Sequence, residues 1–370
     1  MRQHTRNAPS RPATLPRPGG SPHTRSVRIF RRGDEGADIG DIQQRLVALG
    51  ERIDAAELGG TFGDSTDAAV RSFQSRRNLR TDGLVGPETW NHLVEAGYRL
   101  GDRTLYLHAP AFRGDDVRDL QRKLNALGFD AGREDGVHGA GTDTAVREFQ
   151  RNVGEEADGV VGLHTIATLE RMRPQEGAAS RALVREREEL RRMRGSIQGQ
   201  IVAIDPGHGP EGGLVPEVHV AMAQAVADDL TRLGAKPAVL RDDDEEPDPS
   251  ERARRANEVD AAVCVSLHLG SGIPEAGGPT CSYFGSTHTH SPFGMRLAGL
   301  ILQELEDEFQ RRGRLQRLSV TMLRDTRMTA VQIEPLFITN EDEARMIADP
   351  EFAGRVGRAV AAGVRRFFRD

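Results

Sequence analysis

The C-terminal half of the chain alternates short apolar runs with longer amphipathic stretches. The apolar runs are rich in β-branched residues and predict strands; they are 201–207, 236–241, 261–269, 278–285 and 330–340. The stretches between them repeat apolar residues at helical spacing; they are 218–234, 250–260 (with Ser250 as N-cap), 291–309 and 351–368. This alternation predicts a mostly parallel sheet with helices on both faces.

The N-terminal half contains a duplicated helical pattern. Phe73-Gln74 recurs at Phe149-Gln150, and Asp82-Gly83 recurs at Asp158-Gly159, both 76 positions later. A fixed offset of this kind indicates duplicated modules. Each copy predicts three short helices, and Thr142 is the predicted N-cap of the middle helix in the second copy.

These patterns divide the chain into five segments. They are a disordered basic tail (1–27), a first module (28–98), a second module (104–173), a charged helical linker (174–199) and an α/β domain (200–370). The tail carries arginines and almost no apolar residues, so it cannot bury enough surface to order itself. The predicted fold is therefore multidomain: two small all-α three-helix modules followed by an α/β domain with a mostly parallel sheet flanked by helices.

Composition narrows the compartment and the partners. A net charge of −6 gives no overall attraction to nucleic acid or to an anionic membrane. No apolar run reaches membrane-spanning length, and none follows the N-terminal arginines as a signal peptide requires. These features predict a cytoplasmic protein, or a cell-wall protein if an unrecognised route exports it. Cys264 lies in an apolar run and is a predicted core thiol.

Polar residues with metal-binding chemistry lie within or directly after three of the predicted strands. His208 follows the strand at 201, His268 ends the apolar run at 261–269, and Glu334 lies within the final strand. The carboxyl ends of neighbouring parallel strands share one edge of a sheet. Two imidazoles with a carboxylate are a typical Zn²⁺ ligand set that leaves a position open for water. The sequence therefore predicts a zinc site at this edge.

Both modules resemble the peptidoglycan-binding type 1 domain. The resemblance covers about residues 30–172 and is carried by three blocks in each copy. In the second copy these are VRDLQRKLNALG (117–128), VHGAGTDTAVREFQ (137–150) and ADGVVGLHTIATL (157–169). The resemblance implies a three-helix module that binds cell-wall glycopeptide. The alternative is a helical spacer that has lost its ligand or binds a protein.

The α/β domain resembles the zinc-dependent N-acetylmuramoyl-L-alanine amidases of type 3. The shared motifs are IDPGHG at 204–209, RxxxAN at 252–257, SLH at 266–268 and MTAVQIEPLFITN at 328–340. The resemblance implies that His208 and His268 bind Zn²⁺ and that Glu334 is catalytic. The implied reaction, in cell-wall turnover or remodelling, is hydrolysis of the amide between N-acetylmuramic acid and L-alanine. Glu334 would act first as general base towards water and then as general acid towards the leaving amine.

The third zinc ligand is open in the sequence. The resemblance implies a glutamate before the first helix, and Glu217 directly precedes the predicted helix at 218–234. Glu217 nevertheless lies two residues after the family position, which falls at Val215. His219 lies one helical turn after that position and is the alternative ligand; a third possibility is that neither binds. Gly270 stands where the family motif SxHxN has asparagine.

A second function also fits the order of the domains. Two peptidoglycan-binding modules before an amidase domain resemble the CwlM-like proteins of actinobacteria, some of which have lost zinc ligands. The alternative function is thus a cytoplasmic regulator or scaffold of peptidoglycan precursor synthesis, with a protein partner in cell-wall synthesis. A zinc carboxypeptidase-like enzyme would use similar metal chemistry but lacks the DPGHG context. The main prediction stays an amidase acting on peptidoglycan or muropeptides.

Overall fold

A computed structural model describes residues 29–172, 195–207, 215–241, 248–286 and 289–369, without the side chains of residues 215 and 216. The predicted basic tail and most of the predicted helical linker lie outside these residues. The described part of the chain confirms the predicted fold class. A helical N-terminal region precedes an α/β domain with a mostly parallel sheet.

The helices of the N-terminal region form two three-helix modules. Module 1 contains α1 (Ala37–Ala48), α2 (Asp64–Arg76) and α3 (Pro87–Glu95), and module 2 contains α4 (Asp115–Ala126), α5 (Ala140–Val153) and α6 (Leu163–Arg171). Each module has its own apolar core, which includes Leu46 and Phe73 in module 1 and Leu124 and Phe149 in module 2. The repeated apolar positions of the sequence are therefore the core positions of each copy.

A buried glutamine explains the repeated Phe-Gln and Asp-Gly pairs. In module 1 the Gln74 Nε2 donates to Asp82 Oδ1 at 2.8 Å, and Gln74 Oε1 accepts from the backbone N–H of Gly83 at 2.9 Å. Gln150 makes the same two bonds, to Asp158 and from Gly159, in module 2. The amide of one side chain thus fixes the turn before the last helix. This requirement keeps both pairs at the same offset.

The glycine of each turn has two structural reasons. Gly83 and Gly159 have φ values of 76° and 74°, in the left-handed region that favours glycine. A Cβ on Gly159 would lie 2.4 Å from Asp143 Oδ1, so a side chain would also clash.

Thr142 is not the N-cap that the sequence predicts. Helix α5 begins at Ala140 with Gly139 as N-cap, so Thr142 is already inside its first turn. The Thr142 hydroxyl instead accepts a hydrogen bond from Gln121 Nε2 at 3.1 Å. The threonine is needed to satisfy a buried glutamine of α4 rather than to cap its own helix.

His138 occupies a core position of module 2 where the first copy has Phe62. Its side chain is fully buried, and neither ring nitrogen has a hydrogen-bond partner among the described residues. Burial lowers the pKa of His138 below its usual 6.5. The neutral imidazole is therefore the form that this core accepts.

Replacing His138 by phenylalanine is expected to stabilise module 2 by about 1–3 kcal/mol, because two unsatisfied polar atoms leave the core. The lowered pKa means that the unfolded chain binds the extra proton, so wild-type stability falls as the pH drops below 6.5. The His138→Phe variant should lack this fall in stability at acidic pH. Hydrogen exchange of α4 and α5 peptides at pH 7 and pH 5 measures both effects, with the exposed His164→Gln as control. Equal protection in variant and wild type would contradict the expectation.

The α/β domain contains one sheet among the described residues. Its strands are β1 (Ile201–Pro206), β2 (Lys236–Val239), β3 (Val263–Leu267), β4 (Thr280–Phe284), β5 (Arg314–Leu318) and β6 (Thr329–Glu334). The order across the sheet is β2-β1-β3-β6-β4-β5, and β4 is antiparallel to β6 while the other neighbours are parallel. The final predicted strand is shorter than expected, since it ends at Glu334.

Helices cover both faces of this sheet. They are α7 (Val215–Arg232), α8 (Pro249–Glu258), α9 (Pro292–Phe309), α10 (Thr321–Arg324), α11 (Glu341–Ile347) and α12 (Phe352–Arg369). Alternate residues of β1 face two different apolar cores, one on each side of the sheet. Val202 and Ile204 face the core shared with α7, α9 and α12, and Ala203 faces the core shared with α8 and α10. The carboxyl ends of β1, β3 and β6 are left side by side.

Two local predictions have clear outcomes. The N-cap of α8 is Asp248 rather than the predicted Ser250: Asp248 Oδ1 accepts from the backbone N–H groups of Ser250 and Glu251. Pro249 then takes the first helical position, which its fixed φ suits. Cys264 is confirmed as a buried free thiol, and Cys281 is also buried and free. Burial raises the pKa of both thiols.

Candidate active site

The carboxyl edge of the sheet brings predicted site residues together. His268 directly follows β3, Glu334 ends β6, and β1 ends two residues before His208. These three strands are adjacent and parallel. His208 lies outside the described residues, but its neighbour Gly207 packs against His268: a Cβ on Gly207 would lie 2.6 Å from His268 Nδ1. The turn after β1 therefore approaches the imidazole with no room for a side chain.

A buried chain of hydrogen bonds orients His268. The Ser266 hydroxyl donates to Asp205 Oδ2 at 2.5 Å and lies 3.0 Å from His268 Nε2. Since the hydroxyl proton points to the carboxylate, the serine oxygen accepts from His268 Nε2–H. This assignment places the ring proton on Nε2 and the lone pair on Nδ1, the nitrogen that faces the turn after β1. His268 is thus held in the tautomer that a metal ligand needs.

Asp205 also binds the arginine of the RxxxAN motif. Arg252 Nη1 lies 2.7 Å and 2.8 Å from the two carboxylate oxygens of Asp205, and both side chains are buried. Asn257, the last residue of that motif, donates to Asp325 O and accepts from the backbone N–H of Arg327. The motif therefore connects α8 to β1 and to the segment that leads into β6.

A second arginine fixes the turn after β1 through its carbonyl groups. Arg241 donates from Nε to Pro206 O at 3.1 Å and from Nη2 to Gly207 O at 3.0 Å. This arginine is buried, and the motif analysis did not identify it. Its position at the end of the predicted strand 236–241 was the available signal.

The two candidates for the third ligand have different surroundings. Glu217 lies in the first turn of α7 and is exposed. His219 is buried, with its ring centroid 5.9 Å from that of His268. The backbone N–H of Leu269 donates to His219 Nε2 at 2.9 Å. A neutral imidazole that accepts at Nε2 carries its proton on Nδ1, so His219 in this arrangement has no lone pair left for a metal.

Glu334 is buried and paired with a residue from module 1. Arg80 Nη2 forms an ion pair with Glu334 Oε1, and Gln332 Nε2 lies 3.4 Å from the same oxygen. Sequence reasoning missed Arg80, which is far from the amidase motifs. A signal was present in the repeat, because the second copy has Glu156 at the position equivalent to Arg80.

Packing explains why glycine follows the SLHL segment. A Cβ on Gly270 would lie 2.5 Å from the ring of Phe337. Gly270 also joins the two loops after β3 and β6, since its N–H donates to Leu336 O and its carbonyl accepts from Ile338 N–H. An asparagine here would require Phe337 to move. The departure from SxHxN is therefore coupled to the phenylalanine of the final motif.

Among the described residues, no three side chains of His, Cys, Asp and Glu are grouped closely enough to hold a metal ion. His268 nevertheless fits such a role by its tautomer, and Glu334 lies at the adjacent strand end. The arrangement can orient an imidazole lone pair and offer a carboxylate for proton transfer at the same edge of the sheet. This is the chemistry of a metal-assisted hydrolase.

Comparison with known proteins agrees with both halves of the chain. The family model described as N-acetylmuramoyl-L-alanine amidase matches residues 202–366, and that of the peptidoglycan binding domain matches 35–93 and 113–169. N-acetylmuramoyl-L-alanine amidase CwlM of Mycobacterium tuberculosis is 33% identical over 94% of this chain and 91% of its own length. The chain belongs to the N-acetylmuramoyl-L-alanine amidase family.

Two further similarities of this amidase-family chain each cover less than half of it. The amidase CwlL of Bacillus licheniformis is 31% identical over 38% of this chain and 45% of its own length. The crystal structure of an N-acetylmuramoyl-L-alanine amidase from Clostridium difficile 630 is 25% identical, with a TM-score of 0.41, and covers 45% of this chain and 95% of that structure. No described helix of this family member is long and apolar enough to cross a membrane.

Proposed function

We propose that the chain hydrolyses the N-acetylmuramoyl-L-alanine amide bond of peptidoglycan with a bound Zn²⁺ ion. The observation that carries the proposal is the edge of the sheet where His268, oriented by Ser266 and Asp205, lies beside the strand that ends at Glu334. Membership of the amidase family supports amide hydrolysis as the reaction at this edge. The peptidoglycan-binding modules favour the same substrate.

The proposed zinc ligands are His208, His268 and Glu217. His268 offers its Nδ1 lone pair. Glu217 is preferred to His219 because His219 Nε2 accepts a hydrogen bond from Leu269 N–H, which leaves the ring proton on Nδ1. When bound, Zn²⁺ lowers the pKa of a water ligand towards 7 and polarises a carbonyl oxygen. The side chains of Asp205 and Ser266 keep the His268 proton on Nε2 throughout.

The proposed role of Glu334 is proton transfer. Its carboxylate takes a proton from the attacking water and then gives a proton to the nitrogen of L-alanine, so that the amine can leave. Burial at the end of β6 keeps this carboxylate out of bulk water. We assign the muramoyl amide to the edge of the sheet between His268, after β3, and Glu334, at the end of β6.

Peptidoglycan or muropeptides are the proposed partner of the modules as well. The comparisons do not favour the alternative function, a regulator of precursor synthesis. A protein partner and the cytoplasmic compartment both stay predictions.

Metal analysis tests the proposed site. We expect purified protein to hold about one zinc ion per chain and His268→Ala to lose it, because two remaining protein ligands are fewer than the three that catalytic zinc sites use. Glu217→Ala should also lose zinc, whereas His219→Gln should keep it. His164→Ala is the control, since the His164 side chain is 80% exposed. Zinc that is absent, or indifferent to His268→Ala, would contradict the proposed site.

The reaction is tested by following new amino termini. Zinc-loaded protein incubated with muropeptides should release peptides that begin with L-alanine. A chelator should stop this release, and added Zn²⁺ should restore it. Release that continues unchanged in the chelator would exclude the proposed metal dependence.

A further inference from the structure

Arg80 belongs to module 1 but lies in the cleft of the C-terminal domain. One arm of its guanidinium pairs with Glu334 Oε1, and Nη1 donates to Ser271 Oγ at 3.3 Å. Ser271 follows β3 and Glu334 ends β6, so the guanidinium joins the two strand ends that carry the proposed chemistry. A substrate amide between His268 and Glu334 would have to displace it.

The backbone before Arg80 is held from both sides. Asn78 has a φ of 53°, and its carbonyl accepts from the Ser319 N–H at 2.8 Å. Leu79 is only 4% exposed and packs into the core of module 1. A segment fixed at the two preceding residues directs Arg80 to one place, and that place is Glu334.

Module 1 is docked firmly on the segment before β6. Arg324 makes a two-pronged, buried ion pair with Glu95 at 2.7 Å and 3.1 Å. Glu88 accepts from both the backbone N–H and the hydroxyl of Thr321. His92 donates from Nε2 to Ser319 O at 2.9 Å, and burial and nearby Arg324 hold its pKa well below 6.5. Contacts of this kind, all between α3 and residues 319–324, keep Arg80 at the cleft.

The fold of the module does not require an arginine at this position. The equivalent residue in module 2 is Glu156, although the two copies share the same core and the same Asp-Gly turn. Arg80 is therefore explained by its contact with Glu334 rather than by the module itself.

We propose that Arg80 is an active-site residue supplied by module 1, which holds Glu334 in an ion pair and closes the cleft to muropeptides until module 1 leaves α10. The proposal rests on the function proposed above, since Glu334 must be the proton-transfer group. The guanidinium stabilises the ionised form of Glu334 and so makes it a weaker base towards water, and it occupies the place that the substrate amide needs. The closed arrangement is thus an inhibited one.

Binding of an uncleavable ligand tests the closure without using catalysis. The probe is a muramyl peptide analogue in which a ketomethylene group replaces the lactyl–alanine amide, titrated into zinc-loaded full-length protein. Arg80→Ala and Arg80→Gln should bind it about 10- to 100-fold more tightly than wild type, since the fraction of open molecules rises. Arg80→Lys should bind the analogue with an affinity between those of the wild type and Arg80→Gln. Arg32→Ala is the matched control, because Arg32 pairs with Asp64 on the exposed surface of module 1.

Hydrogen exchange tests whether the Arg80 variants open the cleft rather than unfold module 1. Peptides covering residues 268–273 and 334–338 should exchange faster in Arg80→Gln, while peptides of α1 and α2 should be unchanged. Equal affinities of wild type and Arg80→Gln for the analogue would overturn the closure. Tighter binding by Arg80→Gln with no cleavage of natural muropeptides would leave the closure standing and reject the proposed amidase function.

Discussion

Glu334→Gln is expected to lower the rate of muropeptide amide hydrolysis about 100- to 10 000-fold, the range in which a positioned acid–base group contributes. Glutamine has nearly the same shape but cannot take a proton from water. Initial rates of L-alanine amino-terminus release measure the loss in zinc-loaded protein. The comparison should be made in the wild-type chain and with Arg80→Gln, because Arg80 covers Glu334 in the closed arrangement.

Two controls separate this loss from damage elsewhere. The zinc content of Glu334→Gln should equal that of the wild type, since Glu334 is proposed to move protons and not to bind the metal. Glu341→Gln makes the same chemical change at a side chain that is 90% exposed, and should leave the rate unchanged. A Glu334→Gln variant that keeps its rate within about 2-fold would assign the proton transfer to another group.

Asp205→Asn is expected to destabilise the sheet around β1 and β3 by about 3–5 kcal/mol, because it leaves the buried Arg252 without its counter-charge. Asp205 is fully buried and accepts from both Arg252 and Ser266. The same change removes the acceptor that orients the Ser266 hydroxyl, so the His268 tautomer is no longer enforced. Zinc affinity should then fall about 10- to 100-fold, as is usual when a residue supporting a ligand is lost.

Hydrogen exchange of the β1 and β3 peptides measures the stability effect locally, as a multidomain chain requires. The double variant Asp205→Asn with Arg252→Met should recover part of the stability, since no buried charge is left unpaired. Arg345→Met, which breaks an exposed pair with Asp342, is the surface control and should change stability by less than about 1 kcal/mol. Unchanged exchange in Asp205→Asn would show that the buried pair does not hold the sheet.

The position of the site was predictable because it depends on local patterns. His268 and Glu334 each end an apolar run, and parallel strands bring such ends to one edge. The second half of the sheet was harder to predict. Strand β5 is RLQRL, which is mostly exposed at the edge of the sheet and lacks the apolar pattern of a buried strand. Its existence depends on pairing with β4 rather than on its own composition.

Arg80 could not be predicted from the amidase motifs, because its role arises from the docking of one domain on another. The contacts that place it, Glu95 with Arg324 and Asn78 with Ser319, join residues far apart in sequence. Nothing in the spacing of either segment indicates that they meet. The order of side chains along one segment predicts periodic elements, whereas contacts between domains depend on complementary surfaces.

The third zinc ligand is a related case. Spacing placed Glu217 two residues from the family position and made His219 an alternative. The hydrogen bond from the Leu269 N–H to His219, which argues against metal binding, appears only when the loop after β3 folds over α7. Glu217 therefore stays a proposal that rests on chemistry, and zinc analysis of the two variants is its test.

The most direct test of the proposed reaction is product analysis by mass spectrometry after hydrolysis in H₂¹⁸O. Zinc-loaded wild type and Arg80→Gln should be incubated with a defined muropeptide. The account predicts one ¹⁸O atom in the lactyl carboxylate of N-acetylmuramic acid and an unlabelled peptide with a free L-alanine amine, formed faster by Arg80→Gln. Label in a peptide carboxylate or at the anomeric carbon, or no product from either protein, would contradict it.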